Sequence, residues 1–392
     1  MSDPNELSRR HLLTLSAATS AAVLGMSPDA EAKPAQVPRR RLGKTNETIP
    51  ILLVGGGMGF DGKYDSRIKL ALEHGANYID TARKYAGGSS EKNAGATLKQ
   101  LGAREKTWIT SKTPKWTARG LEQDVAFSLE SLQTSYVDLY FLHELDELGP
   151  LNDAELVKTV ERLKKDKKIR FFGFSCHGGN VAELLHGAAQ RPFIDAVMFK
   201  YSFRDYGNKE LNQAIDAAHK ADVGLIAMKT QSSEAGITDA VQKFEKTGKW
   251  NKYQAVLKAV WEDKRIAAAV SHMVDLKQMK ENIAAALDKS KLGMKERDAV
   301  RRYADATRAY ACDGCEHICG AAVAVPVRIA STLRCLMYHD SYGDPEKARR
   351  VFAELPEEAR RIEGVDFAEA SRACPNGIDL VTHMKRAGKV LA

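Results

Sequence analysis

The sequence predicts an eightfold (β/α) barrel of the TIM-barrel type, followed by a helical, cysteine-bearing C-terminal extension. Three observations carry this prediction. Short apolar runs alternate with helix-like segments, eight such pairs fit into about 240 residues, and the runs are apolar on both faces, as in covered parallel strands. A doubly wound open sheet is the alternative. It is disfavoured because no G-x-G-x-x-G turn leads the first strand into a helix.

The predicted strands are short and rich in β-branched or aromatic residues. They are residues 51–54, 77–80, 107–110, 136–142, 169–174, 193–199, 223–228 and 266–270. Helical patterns lie between them, for example over residues 118–133 and 151–166. We therefore assign residues 33–291 to the barrel.

The pattern changes from residue 292 onward. Residues 295–310 predict a helix, and cysteines and further helical segments follow. We expect residues 292–392 to form a helical extension with its own cysteine site. Cys335 lies in an apolar helical segment and is expected to be a core thiol.

Composition indicates a soluble globular protein. The chain has 392 residues, of which 44% are apolar and 28% charged, and its formal net charge is +8. The basic residues are spread in short runs such as residues 39–41 and 164–168. No basic stripe interleaved with aromatic residues appears, so we expect a solvated basic surface and no nucleic-acid site.

Residues 1–32 have the layout of an export signal. Arg9 and Arg10 precede a modest apolar run over residues 12–25, and small residues at 30–32 suit a cleavage point. The paired arginines resemble the signal read by the twin-arginine export machinery, which predicts a periplasmic location. The apolar run is too short to span a bilayer, so no stable membrane anchor is expected. A helix with two chance arginines is the alternative.

Ionisable or polar side chains follow the ends of successive predicted strands. They are Asp80 with Tyr85 in the next loop, Lys112, His143, Ser175, Tyr201 and Lys229. Any one of them alone would suit a surface or capping role. The carboxyl ends of barrel strands meet on one face, where barrel active sites lie, so we expect these side chains to converge there.

Four of these residues suit the reduction of a carbonyl. The Tyr85 hydroxyl is a poor acid at its ordinary pKa of about 10, but a neighbouring ammonium such as Lys112 lowers that pKa. Asp80 would hold the ammonium charged and fix its direction. A neutral His143 can orient a carbonyl oxygen. No side chain supplies a hydride, so a cofactor must.

Several segments resemble the aldo-keto reductase superfamily in order and spacing. They are residues 77–91, 109–112, 135–143 and 171–175, with residues 39–47 similar to its N-terminal hairpin. The resemblance covers about residues 38–290. It implies that Tyr85 is the general acid, that Lys112 and Asp80 tune it, and that His143 orients the substrate carbonyl. Hydride transfer between a nicotinamide cofactor and a small carbonyl or sugar-like alcohol is the implied reaction.

The resemblance also implies the cofactor contacts. Ser175 would bind the nicotinamide carboxamide, Tyr201 would stack on the nicotinamide ring, and the loop from Lys229 would hold the pyrophosphate. The remaining expected contacts are Gly57, Met58 and, near the adenine, Glu281 and Asn282. Both NADP(H) and NAD(H) stay open as the cofactor.

The chain departs from the family pattern around the cofactor. The departures are Cys176 and His177 after the fifth strand, Met198 on the sixth, and His272 and Gln278 near the expected 2′-phosphate. These departures affect the expected affinity for the cofactor and the preference for NADP or NAD. The four predicted catalytic residues are intact, which favours an active enzyme.

The cysteines of the extension predict a cluster site. Cys312, Cys315 and Cys319 have the spacing C-x2-C-x3-C, and Cys374 precedes a proline. Close thiolates with a distant Cys-Pro are typical of a [4Fe–4S] cluster, and the tail resembles that of a ferredoxin-tailed subgroup of the same superfamily. Zinc on these residues with or without His317, a disulfide pair and plain buried thiols are the alternatives.

The sequence thus predicts an exported aldo-keto reductase. Two other classes stay open: a nucleotide-loaded binding or regulatory barrel with little turnover, and an iron–sulfur electron-transfer protein. Free NADPH is scarce outside the cytoplasm, so an exported enzyme would carry its nucleotide tightly bound or use a redox partner.

Overall fold

The computed structural model describes residues 34–231 and 249–392. The predicted export signal at residues 1–32 lies outside the described residues. The chain divides into a short unit over residues 1–35 and a unit that spans Gln36–Ala392. The barrel and the C-terminal extension both belong to the second unit.

Eight parallel strands close into a barrel, which confirms the predicted fold. An antiparallel hairpin of β1 (Arg39–Arg41) and β2 (Thr48–Pro50) precedes it. The barrel strands are β3 (Leu52–Gly55), β4 (Tyr78–Asp80), β5 (Trp108–Thr113), β6 (Val137–Leu142), β7 (Ile169–Cys176), β8 (Ala196–Lys200), β9 (Gly224–Met228) and β10 (Ala268–Ser271). They pair in chain order, and β10 closes the barrel between β9 and β3.

The hairpin covers the amino-terminal end of the barrel. Leu42 and Ile49 from the hairpin pack with Leu53 and Phe141 in the barrel interior. Because β2 leads directly into β3, this apolar plug lies where the strands begin. The carboxyl ends of the strands are therefore the face left for a site.

Eight helices of the described residues belong to the barrel layer. They are α1 (Ser66–Glu73), α2 (Ser89–Gln100), α3 (Ala118–Leu132), α4 (Ala154–Lys165), α5 (Val181–Ala189), α6 (Lys209–Lys220), α7 (Lys252–Glu262) and α8 (Leu276–Leu287). Several begin at a side-chain cap: Thr117 accepts from Gly120 N and Asp153 from Glu155 N. Their apolar faces pack on the outward side chains of the strands.

Strand residues alternate between the interior and the layer beneath the helices. On β5, Trp108 belongs to the interior cluster and Ile109 to the outer layer. A period of two therefore directs Lys112 into the barrel at the carboxyl end of the same strand.

The C-terminal extension is helical, as predicted. Its helices are α9 (Met294–Ala306), α10 (Glu316–Cys319), α11 (Ile329–Asp340), α12 (Pro345–Ala353), α13 (Ala368–Ala373) and α14 (Leu380–Val390). They enclose two small cores of their own, and Cys335 is fully buried in one of them. Arg334 and Lys347 contact loops at the carboxyl ends of barrel strands, so α11 and α12 pack over the mouth of the barrel. Within the described residues, every helix is too short or too polar to cross a membrane.

Candidate active site

A buried ion pair joins the ends of β4 and β5. Lys112 Nζ lies 2.7 Å from Asp80 Oδ1, and both side chains are at most 5% exposed. The ammonium also donates to the Thr81 carbonyl at 2.7 Å. Burial raises the pKa of Asp80 and lowers the pKa of Lys112, while their attraction opposes both shifts. Each charge is therefore stabilised inside the barrel by the other.

The Tyr85 phenol lies against this pair. Lys112 Nζ is 3.3 Å from Tyr85 Oη and 4.5 Å from the centre of its ring. Burial raises the pKa of Tyr85 well above its ordinary value, and the charges of Asp80 and Glu144 raise it further. The net shift is therefore opposite to the lowering expected from Lys112, and burial is its largest cause. The phenol keeps its proton at neutral pH, with a cation beside it.

His143 follows β6 and faces Tyr85. The two rings meet edge to face, with centroids 5.3 Å apart and planes at 78°. Burial lowers the pKa of His143 well below its usual range, so the ring is neutral. Its Nδ1 is buried and has no hydrogen-bond partner within the described part of the chain. A neutral imidazole beside a phenol can hold a carbonyl oxygen between them.

Strained backbone accompanies these side chains. Ala86, Glu144 and Lys229 have φ angles of 50°, 57° and 59°, in the left-handed region that non-glycine residues seldom adopt. Ala86 follows Tyr85 in the chain, and Glu144 follows His143. Such strain persists where the surrounding structure holds it, and it clusters at functional sites.

Three predicted cofactor residues lie at this face. Ser175 is the last inward residue of β7, and its Oγ accepts from the Glu144 N–H at 3.1 Å. Gly57 and Met58 follow β3 and meet the extension. Lys347 Nζ donates to the Gly57 carbonyl at 2.9 Å and lies 3.2 Å from Met58 Sδ.

Tyr201 is not brought to the site. Its ring packs on Phe199 and Tyr206 in the outer layer, and its hydroxyl donates to Asp263 Oδ2 at 2.7 Å. The alternation along β8 explains this placement, because Met198 faces the interior and Lys200 is the next inward position. The predicted stacking role therefore has no support at Tyr201.

The other predicted cofactor residues surround β9 and β10. Lys229 directly follows β9, and its Nζ lies 3.5 Å from the hydroxyl of Tyr338 in α11. Asn282 is buried and donates to Ser271 Oγ at 3.0 Å, at the end of β10. Glu281 accepts from the Asn251 amide at 3.2 Å.

The departures from the family pattern have different positions. Cys176 is buried in the outer layer, where burial raises its pKa, and Met198 lies inside the barrel. Gln278 accepts from the Val274 N–H and so braces the start of α8. His272 lies at the site, with Nδ1 3.1 Å from the Gly55 carbonyl oxygen. Its Nε2 is buried without a hydrogen-bond partner in the residues described, and burial lowers its pKa to about 4.

A polar network that the sequence did not predict links the site to the extension. Glu144 lies 3.1 Å from His177 Nε2, 3.0 Å from Lys84 Nζ and 4.0 Å from Arg334 Nη1. Burial would raise the pKa of Glu144, but the hydrogen bond from His177 and the charge of Arg334 contribute to a pKa well below its usual range. His177 also accepts from Arg334 at 3.0 Å. Burial and the Arg334 charge lower the pKa of His177 to about 4, so the ring is neutral.

Two tyrosines of the extension also lie near the catalytic phenol. Tyr338 and Tyr342, with ring centres 5.5 Å apart, are close enough to contribute to the raised pKa of Tyr85. The barrel residues could be recognised because they follow strand ends, but Tyr338 lies on α11 and Tyr342 just after it, both distant in sequence. The one sequence signal that could have indicated this network was the position of Glu144 directly after His143.

The extension brings the four predicted cluster cysteines into one region. Burial raises the pKa of Cys312 to about 12 with a contribution from Cys315, and it raises the pKa of Cys319 to about 11 with contributions from Cys315 and Cys374. All four thiols are free. In the described residues, no group of three or more histidine, cysteine or acidic side chains has the arrangement of a metal site. The thiols are therefore neighbours that do not form a closed coordination shell.

An open cleft of about 430 Å³ lies beside the site. It is lined by Met58, Gly59, Phe60, Asp61, Tyr64, Asp65, Ser66, Arg67, His272, Val274, Asp275 and Leu276. The cleft lies between the loops that come after β3 and β10, and β10 neighbours β9, which Lys229 follows. The unpartnered His272 nitrogen and this cleft fit a polar, elongated ligand such as a dinucleotide.

The fold and site define a (β/α)8 barrel whose strand ends hold a tyrosine–lysine–aspartate–histidine group. The aldo/keto reductase family pattern matches residues 55–286. The chain belongs to the aldo/keto reductase family.

Individual relatives match parts of the chain. A methylglyoxal reductase of Escherichia coli K12 is 39% identical over 110 residues, which are 28% of this chain and 37% of that protein. A glyoxal reductase of Bacillus subtilis is 36% identical over 154 residues, 36% of this chain and 51% of that protein. This chain thus spans about half, or less, of the length of the curated relatives it matches first. An aldo-keto reductase of Klebsiella pneumoniae in complex with NADPH shares the fold, with a TM-score of 0.55 at 21% identity, over 68% of this chain and 94% of that chain.

Proposed function

We propose that this protein is a nicotinamide-dependent oxidoreductase that reduces a small carbonyl, with Tyr85 as the proton donor. The observation that carries the proposal is the contact of a protonated, half-buried phenol with the Lys112 ammonium at 3.3 Å. The relatives named as glyoxal and methylglyoxal reductases support a small carbonyl substrate. The NADPH complex of the Klebsiella protein supports a nicotinamide cofactor.

The roles of the side chains follow from their positions. A carbonyl oxygen between Tyr85 and the neutral His143 would accept a hydrogen bond from each. As negative charge develops on that oxygen, Tyr85 gives up its proton, and Lys112 stabilises the phenolate left behind. Asp80 keeps Lys112 directed at the phenol. The bound nicotinamide supplies the hydride.

The residues around β3, β9 and β10 fit the nucleotide. Lys229 offers a cation after β9, and His272 offers an unpartnered nitrogen beside the cleft. Across the barrel, Ser175 adds a hydroxyl on the inner wall at the end of β7. Glu281 and Asn282 lie near the end of β10, on the same side.

Replacement of Tyr85 by phenylalanine tests the mechanism. Tyr85→Phe removes the proton and leaves the ion pair, so kcat for carbonyl reduction is expected to fall by about 10²–10⁴-fold while nucleotide binding stays unchanged. Tyr310→Phe is the matched control, because this tyrosine is 55% exposed on the extension. Unchanged turnover in Tyr85→Phe would refute the assignment.

The covered mouth favours a second candidate, a barrel that carries its nucleotide and turns over little. Denaturing the purified protein and quantifying the nucleotide released distinguishes the two. A stoichiometric nucleotide with negligible carbonyl turnover by the native protein would favour the binding role.

We also propose export through the twin-arginine machinery to the periplasm, on the evidence of Arg9, Arg10 and the apolar run after them. The test is fractionation of cells that express the full chain. Arg9→Lys/Arg10→Lys is expected to retain the protein in the cytoplasm. A periplasmic double variant would contradict this route.

We further propose a [4Fe–4S] cluster on Cys312, Cys315, Cys319 and Cys374. The four thiolates would hold the cluster; the C-x2-C-x3-C spacing and the packing of Cys312, Cys319 and Cys374 in one small core support it. Anaerobically purified protein is expected to contain iron and sulfide and to absorb near ~400 nm. Cys374→Ser should abolish both signals, whereas the control Cys335→Ser, in the other small core, should keep them. Detection of bound zinc, or of a disulfide among these thiols, would contradict the assignment of a [4Fe–4S] cluster.

A further inference from the structure

Two lysines from distant parts of the chain lie near one tyrosine ring at the mouth of the barrel. Lys229 directly follows β9, and Lys347 lies on α12 of the extension. Their Nζ atoms lie 5.1 Å and 4.6 Å from the ring centre of Tyr338. Two cations, one supplied by the barrel and one by the extension, therefore lie close to the same ring.

The two ammonium groups have no carboxylate close enough to neutralise them among the described residues. Among the described residues, Lys347 donates only to the Gly57 carbonyl and to Met58 Sδ. Burial, and then the charge of Lys229, lower the pKa of Lys347 to about 8, whereas the charge of Asp344 acts in the opposite sense. The pair is a partly buried concentration of positive charge, which an oxyanion would stabilise.

The position of the pair points to the site described above. Gly57 follows β3 and Lys229 follows β9, and these strands are the two neighbours of β10 in the barrel. The cations therefore span the carboxyl ends of three adjacent strands. The cleft lined by Met58 and His272 opens beside them. The backbone of Lys229 is in the left-handed region, at φ 59°, a conformation that persists where the surrounding structure holds it.

We propose that Lys347 and Lys229 together bind a phosphate group, so that the C-terminal extension contributes a ligand to a phosphate site at the mouth of the barrel. The inference rests on the proposed function, which supplies two sources for such a group. One is the pyrophosphate of the nicotinamide dinucleotide, and the other is a phosphate ester on the carbonyl substrate. Lysine ammonium groups bind phosphate oxygens through charge-assisted hydrogen bonds in either case.

The first measurement is thermal unfolding, which does not depend on enzymatic activity. Inorganic pyrophosphate is expected to raise the Tm of the full-length wild-type protein, and Lys347→Gln should remove most of that shift. Lys385→Gln is the matched control, because Lys385 is an exposed lysine of α14. An equal shift in the wild type and Lys347→Gln would overturn the proposal even if the enzyme is active.

The second measurement distinguishes the sources. If the group is the pyrophosphate of the cofactor, Lys347→Gln should weaken NADPH binding by about tenfold or more, as measured by titration of its fluorescence. If the group is on the substrate, NADPH binding should stay unchanged. KM should then rise about tenfold for glyceraldehyde 3-phosphate but not for glyceraldehyde.

Tighter binding of NADPH or of the phosphorylated aldehyde by Lys347→Gln would also overturn the proposal, because Lys347 would then obstruct the site. Failure of the proposed function has a separate signature, since it would leave the wild-type protein without carbonyl turnover whatever pyrophosphate does to its Tm.

Discussion

Replacement of Asp80 by asparagine isolates the buried ion pair on which the site depends. In Asp80→Asn, the Lys112 ammonium keeps the Thr81 carbonyl and the Tyr85 hydroxyl as neighbours but loses its only close carboxylate among the described residues. Removing one partner of a buried pair typically costs about 3–5 kcal/mol of stability, because the other charge stays buried without compensation.

The same magnitude follows from proton release. The variant can avoid the buried charge by neutralising Lys112, and releasing a proton at pH 7 from a lysine with an ordinary pKa of about 10.4 costs about 4.6 kcal/mol. This cost is an upper limit on the penalty for the charge. In the unfolded chain, Lys112 stays protonated up to its ordinary pKa, whereas in the folded variant it has released the proton. The loss of stability in Asp80→Asn therefore becomes smaller as the pH rises. At pH 9 the limit is about 2 kcal/mol.

Urea unfolding at pH 7 and pH 9 measures this penalty. Asp80→Asn/Lys112→Met removes both charges, so it should recover most of the stability while carbonyl turnover stays lost. Asp222→Asn is the control, because the pair of Asp222 with Arg41 is exposed and should contribute about 1 kcal/mol or less. A loss below about 1 kcal/mol in Asp80→Asn, or a double variant as unstable as the single one, would refute the reasoning.

Three further outcomes are expected. The pKa of His177 is about 4 when folded and about 6.5 when unfolded, so the unfolded chain gains the proton first as pH falls from 7 to 4. Stability should therefore drop by up to about 3 kcal/mol over that range, and His177→Gln should flatten the profile. Glu144→Gln removes the carboxylate shared by the barrel and extension, so hydrogen exchange in α11 and α12 should become faster; equal exchange would contradict this. Gly173→Ala would place Cβ 1.8 Å from the Ala196 carbonyl oxygen and should destabilise by about 3 kcal/mol or more, whereas the control Gly388→Ala, in a helix with 3.9 Å of clearance, should stabilise by about 0.5–1 kcal/mol.

The eight strands were predictable because each is an apolar run short enough to be a buried strand. The predicted run at residues 136–142 became β6 over Val137–Leu142, and residues 223–228 became β9 over Gly224–Met228. The barrel geometry then brings strand ends together, which is why Asp80, Lys112 and His143 meet without any local sequence contact.

The stacking role expected of Tyr201 has no support in the structure, because its ring packs in the outer layer. Successive residues of a strand point to opposite faces, and the resemblance alone did not specify which face Tyr201 would occupy. The inward position of Met198 makes Lys200 the next inward residue of β8. Lys200 lies 2.6 Å from Asp313 in the cysteine loop and donates to the Cys312 carbonyl at 3.1 Å.

The docking of the extension could not be predicted from local pattern. Helical periodicity identifies α11 and α12 as helices, but it does not specify which barrel loops their polar side chains meet. The contacts of Arg334 with His177 and of Lys347 with Gly57 depend on complementarity between segments more than 150 residues apart. Such long-range contacts have no signature in spacing.

The extension changes the chemistry expected of Tyr85. In an open barrel, the phenol would be partly hydrated, and Lys112 would lower its pKa, as the sequence suggested. Beside the extension the phenol is half-buried, and Tyr338 and Tyr342 add to the rise in its pKa. In the reaction proposed above, Tyr85 would hold its proton in the resting protein and yield it as a carbonyl oxygen beside it gains negative charge. Such a donor would suit reduction, because the proton is in place before the hydride arrives. By raising this pKa, the extension would favour the reductive direction of the proposed reaction.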